Sequence, residues 1–107
     1  MGTSARGRVR VRVLVIDDDA AILGMVRELL DGEGYAVDTR RTPPADPAEL
    51  APFAPDLIVA DLVYPDGTDG ADLLRRFAEH PATARVPVVV CSADRPLLDR
   101  LAPDLAA

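Results

Sequence analysis

Lysine and tryptophan are absent from this sequence of 107 residues, and cysteine occurs once. The lone Cys91 excludes an intramolecular disulfide and a Cys-based zinc centre. A free thiol fits a reducing compartment, so a cytoplasmic location is expected. Aromatic residues make up only 4%, so the core must be built from Val, Leu, Ile and Ala. A formal net charge of −6 argues against a direct grip on nucleic acid or on an anionic membrane surface. The longest apolar run near the N-terminus, Val13 to Ile16, is too short for a signal-peptide core or a membrane span. With no Lys, every basic side chain apart from His80 is an Arg.

What remains is 49% hydrophobic and 28% charged, the balance of a soluble globular domain. The length allows one such domain. Residues 1–8 are small, polar or basic and are expected to be a disordered lead-in, leaving residues 9–107 as the domain. Val9, Val11 and Val13 alternate with Arg10 and Arg12, the period of a strand. The run closes as Val13-Leu14-Val15-Ile16, as in a strand buried on both faces of a parallel sheet. Asp17-Asp18-Asp19 follows. Ile22, Met25, Val26, Leu29 and Leu30 then recur at helical spacing, with Asp19 as N-cap and Gly32-Glu33-Gly34 as the stop.

A second strand is predicted over Tyr35 to Thr39, a short helix over Pro47 to Phe53, and a third buried strand over Leu57 to Ala60 that ends at Asp61. The turn formers Tyr64 to Gly70 lead into a helix over Ala71 to His80, with Leu73, Leu74 and Phe77 inward and Asp69 as its cap. A fourth buried strand, Val86 to Cys91, ends at Ser92. A last helix carries Leu97, Leu98, Leu101 and Leu105, with Pro103 set to kink or shorten it. This alternation predicts a doubly wound parallel α/β sheet with helices on both faces.

In such a sheet the ligand site lies just beyond the C-terminal ends of the strands. The first predicted strand ends at Asp17 and Asp18, the third at Asp61 and the fourth at Ser92. Three carboxylates at one place repel one another unless a cation is present. A hard divalent cation such as Mg²⁺, with oxygen ligands and retained waters, meets that need. Asp61 can then act as a nucleophile that forms an acyl phosphate, and Ser92 can donate a hydrogen bond to the phosphoryl group. Taken singly, each signal has a plain structural role. Acidic residues before a helix suit its dipole, Asp is common at strand ends, and Ser92 can cap a helix. The joint placement is what points to chemistry.

Three segments carry a family resemblance: Val13 to Asp19, Leu57 to Gly70 and Val86 to Ala93. From about Val11 to Leu101 the chain resembles the receiver domains of two-component response regulators. The resemblance implies a flavodoxin-like receiver fold with strand order 2-1-3-4. It implies a phosphoacceptor at Asp61, a Mg²⁺ site at Asp17, Asp18 and Asp61 with the backbone carbonyl of Val63 as a further ligand, and Ser92 as the hydroxyl residue that reorients on phosphorylation. It implies a histidine kinase or phosphotransfer protein as partner, and a signalling module rather than an enzyme.

Two departures stand beside the resemblance. Asp66-Gly67-Thr68 makes the turn after Asp61 one residue longer than the common pattern, a change that a surface loop tolerates. The fifth βα unit, with its Lys-Pro pair, is expected to be missing, since the chain holds no Lys. That leaves a second reading open, a non-phosphorylated pseudo-receiver that acts as an interaction module. A hydrolase of the haloacid-dehalogenase type is disfavoured because Asp61-Leu62-Val63 lacks the second Asp of that motif. A flavodoxin-like cofactor binder is disfavoured because the first strand runs into carboxylates where a phosphate loop belongs. With the fifth unit absent, the fourth strand is expected to form an apolar sheet edge that invites self-association.

Overall fold

The computed structural model describes residues 10–65, 67 and 69–90. The elements run β1 (Arg12–Ile16), α1 (Ala20–Gly32), β2 (Ala36–Arg40), a 3-10 helix (Pro47–Leu50), β3 (Leu57–Ala60), α2 (Gly70–Glu79) and β4 (Val88–Val90). The strands form one parallel sheet in the order β2-β1-β3-β4. Ser92, Cys91 and the expected last helix lie outside the described residues, as does the lead-in over residues 1–8.

Alternation along the strands divides the core in two. Leu14, Ile16, Ile58 and Ala60 pack with Leu50, Tyr64, Leu73 and Phe77. Val13 and Val15 pack with Leu23, Val26, Leu30, Val37 and Val59. Successive residues of a strand point to opposite faces, so these are the two faces of the sheet. The strand order explains the split. The step from β1 to β2 runs one way across the sheet, and the steps to β3 and β4 run the other way. Right-handed crossovers then put α1 on one face and the 3-10 helix and α2 on the other.

The caps expected for both α-helices are formed. The Asp19 carboxylate accepts from the N–H groups of Ala21 at 2.9 Å and Ile22 at 3.2 Å. The Asp69 carboxylate accepts from Ala71 N–H at 2.9 Å. Each satisfies helix-start donors that would otherwise lack partners. After α1, Gly34 takes φ +93° while its N–H donates to the Asp31 carbonyl at 3.0 Å. That left-handed turn sends the chain back into β2.

Three expectations are corrected. First, α1 does not turn Ile22, Met25 and Leu29 to the core. They are 40%, 56% and 64% exposed, whereas Leu23 is 6% exposed and packs with Val26 and Leu30 against β1 and β2. The helix carries two adjacent apolar stripes, and the sheet takes one of them. Second, the helix expected over 47–53 is a 3-10 helix over Pro47–Leu50. It starts with a capping box between Asp46 and Glu49, and Pro52 has no N–H with which to continue the ladder. Third, the fourth strand is Val88–Val90 and is not buried on both faces. Val88 packs against the α2 side. Val89, in register with Val59, is 46% exposed, and α1 packs over β1 and β2 instead.

Candidate functional site

The strand order reverses between β1 and β3, and a crevice opens at their C-terminal ends. Ile16 and Ala60 are register partners, so Asp17 and Asp61 follow a matched pair. The N–H of Asp61 donates to the Ile16 carbonyl at 3.1 Å, which extends the ladder to the first residue of the site. On the other side, Asp17 N–H donates to the Arg40 carbonyl at 3.0 Å. Asp17, Asp18 and Asp61 each present a carboxylate oxygen, and these oxygens lie within 4.8 Å of one another. All three side chains are half-buried.

Two of the carboxylates, those of Asp17 and Asp61, are held by N–H groups of their own loops. One oxygen of Asp17 accepts from Asp19 N–H at 2.9 Å. Oδ1 of Asp61 accepts from Leu62 N–H at 2.7 Å and Val63 N–H at 3.3 Å. The turn that supplies those donors is short and closed, with Val63 bridging Asp69 at the start of α2. Gly70 makes the closure possible, since a Cβ there would lie 2.6 Å from the Leu62 carbonyl oxygen.

The electrostatics favour a cation. The Asp17 carboxyl is raised above its ordinary 3.8, first by burial and then by repulsion from Asp61, Asp18 and Asp19, against a lowering by the Asp19 N–H bond. Tyr64, 5% exposed on the α2 side, donates its hydroxyl to the Ile16 carbonyl at 3.3 Å. Burial, then Asp61 and Asp17, push its phenol up, so it stays a neutral donor beside the acidic group. Oxygen donors from three carboxylates, with unrelieved mutual repulsion, fit a hard divalent ion such as Mg²⁺.

Of the residues expected at the site, Asp17, Asp18 and Asp61 are brought together. Val63 sits two residues past Asp61 on the same turn, its side chain 49% exposed. Ser92 lies outside the described residues; Val90, two residues before it, is the register partner of Ala60. Sequence reasoning missed Arg41, whose guanidinium donates to the Asp18 carbonyl from Nε at 3.2 Å and Nη2 at 3.0 Å. No local pattern marks that contact, because it joins two loops across the sheet edge. Asp18, Arg41, Thr42, Tyr64 and Pro65 line a cleft of about 280 Å³ beside the carboxylates. Among the described residues, no helix is long and apolar enough to cross a membrane.

A family model described as the response regulator receiver domain matches residues 13–102. Over 82 residues the chain is 32% identical to the phosphate regulon transcriptional regulatory protein PhoB of Rhizobium meliloti (strain 1021), a match covering 77% of this chain and 36% of the relative. Over 90 residues it is 38% identical to the KDP operon transcriptional regulatory protein KdpE of Escherichia coli (strain K12), covering 84% and 38%. The chain thus spans less than two fifths of the length of these relatives. Among solved structures, the chemotaxis protein CheY4 of Vibrio cholerae superposes with a TM-score of 0.77 at 21% identity, covering 92% of this chain and 82% of that one. At that identity the likeness is one of fold.

Proposed function

Because this chain belongs to the response regulator receiver family, we propose that it is a phosphorylation-responsive signalling module in which Asp61 accepts a phosphoryl group. The observation that carries this reading is the convergence of Asp17, Asp18 and Asp61, with carboxylate oxygens within 4.8 Å of one another at the switch point of the sheet. The donor is a phosphohistidine on a histidine kinase or phosphotransfer protein. An oxygen of Asp61 attacks phosphorus. A P–O bond forms as the bond to the donor nitrogen breaks, and its electron pair leaves with the imidazole.

Asp17, Asp18, Asp61 and the carbonyl of Val63 are the groups that would hold Mg²⁺, which when bound neutralises charge on the phosphoryl oxygens. The protein's own contribution is placement. The N–H groups of Leu62 and Val63 fix one oxygen of Asp61, and the Ile16 ladder bond fixes its backbone. Ser92 is assigned the hydrogen bond to the phosphoryl group and the reorientation that follows. The module acts by altered protein contact in the cytoplasm and not by substrate turnover.

The test is incubation with Mg²⁺ and acetyl phosphate, followed by intact mass, with Asp61→Asn alongside. A phosphate adduct on the wild type that is absent from Asp61→Asn is expected. No Asp61-dependent adduct would overturn the reading. Self-association through β4 belongs to the same proposal, since β4 is the outermost strand on its side among the described residues and an open strand edge can pair with another chain. Light scattering that finds a monomer at high concentration would remove that part.

A further inference from the structure

We propose that Arg41 is a positioning residue for the metal site, acting as a two-point clamp on the loop that carries Asp17 and Asp18. The inference rests on the Mg²⁺ reading above. Arg41 immediately follows β2, and its Nε and Nη2 both donate to the Asp18 carbonyl. The next backbone tie, Asp17 N–H to the Arg40 carbonyl at 3.0 Å, lies beside it. The β1–α1 loop is therefore fastened to the end of β2 at two consecutive residues, both of which present a carboxylate to the cluster.

Arg41 uses its charge unusually. Arg40, its neighbour, pairs with Glu49 at 3.0 Å, whereas among the described residues Arg41 forms no ion pair and spends its fork on a main-chain oxygen. A planar guanidinium holds such an acceptor with less loss of freedom than a flexible ammonium. Partners that orient metal ligands without touching the metal commonly govern affinity. Here the partner orients the backbone of Asp18, and through it the carboxylate.

The sign of the effect separates positioning from charge. A cation beside a metal site repels Mg²⁺, so by charge alone Arg41→Ala would bind the ion more tightly. A clamp predicts the opposite. Mg²⁺ titration by calorimetry should show Arg41→Ala about tenfold weaker than wild type. Arg41→Lys, which keeps the charge and one donor, should fall between them. Melting in EDTA should be nearly the same for all three proteins.

If either variant binds Mg²⁺ as tightly as the wild type, or more tightly, the clamp is refuted while the metal site stands. A large loss of melting temperature in EDTA would also refute it, by making Arg41 a structural residue. If the wild type itself takes up no Mg²⁺, the metal reading fails together with the clamp.

Discussion

Gly70 and the backbone of Leu62 are packed so closely that a Cβ on Gly70 would stand 2.6 Å from the Leu62 carbonyl oxygen and 2.9 Å from its Cα. The contact brings the first turn of α2 against the residue that follows Asp61. The opposing atoms are main chain, so they cannot swing aside as a flexible side chain would. Gly70→Ala should therefore force the turn outward and destabilise the fold by about 2–3 kcal/mol, as overpacked sites do. It should also loosen the Leu62 and Val63 N–H bonds to Asp61 and weaken Mg²⁺ binding. Urea unfolding and a Mg²⁺ titration of the variant check the two parts.

The raised carboxyl of Asp17 gives a prediction with a definite sign. An acid whose pKa is higher in the fold than in the unfolded chain is destabilising once ionised. That penalty is absent below the ordinary 3.8 and grows as pH rises through the raised value. Asp17→Asn removes it and leaves a side-chain oxygen for the Asp19 N–H. In EDTA at pH 7 the variant should melt higher than wild type, and the difference should vanish near pH 3.5. Added Mg²⁺ should reverse the order, since binding stabilises only the protein that has the ligand. Melting curves at both pH values, with and without Mg²⁺, decide it.

The two apolar stripes of α1 make a third prediction. Met25 and Leu29 are 56% and 64% exposed, whereas Leu23 is 6% exposed. Met25→Gln and Leu29→Gln should each change stability by less than about 0.5 kcal/mol. Leu23→Ala should cost about 2–4 kcal/mol. Equal losses at Met25 and Leu23 in urea unfolding would contradict the helix rotation described above.

The same helix shows what could be read from the sequence and what could not. Its existence and its start were legible, because Asp19 precedes a periodic apolar run. Its rotation was not. Ile22, Met25 and Leu29 keep helical spacing just as Leu23, Val26 and Leu30 do, and only the sheet beneath chooses between them. The parallel order of the strands was legible through the buried runs at Val13–Ile16 and Leu57–Ala60, each ending on an acid. Bringing Asp17, Asp18 and Asp61 together followed from that order. Arg41 was hidden, since a long side chain reaching across the sheet edge leaves no trace in local spacing. The segment from Pro47 is shorter than the helix expected over Pro47 to Phe53, because Pro52 has no N–H with which to continue the ladder.

Thr83 carries a last prediction. It is 1% exposed, and its hydroxyl donates to the Phe77 carbonyl at 2.7 Å. Phe77 lies in the final turn of α2, where carbonyls lose their helical partners, and it is part of the core on the α2 side of the sheet. Thr83→Val keeps the shape and removes the donor, so a buried carbonyl is left without that bond. The expected loss is about 1–3 kcal/mol, the penalty for a desolvated acceptor. Thr83→Ser, which keeps the hydroxyl and gives up a methyl group, should lose less than Thr83→Val. If the two rank the other way in urea unfolding, methyl packing and not the hydrogen bond is what Thr83 contributes to the end of α2.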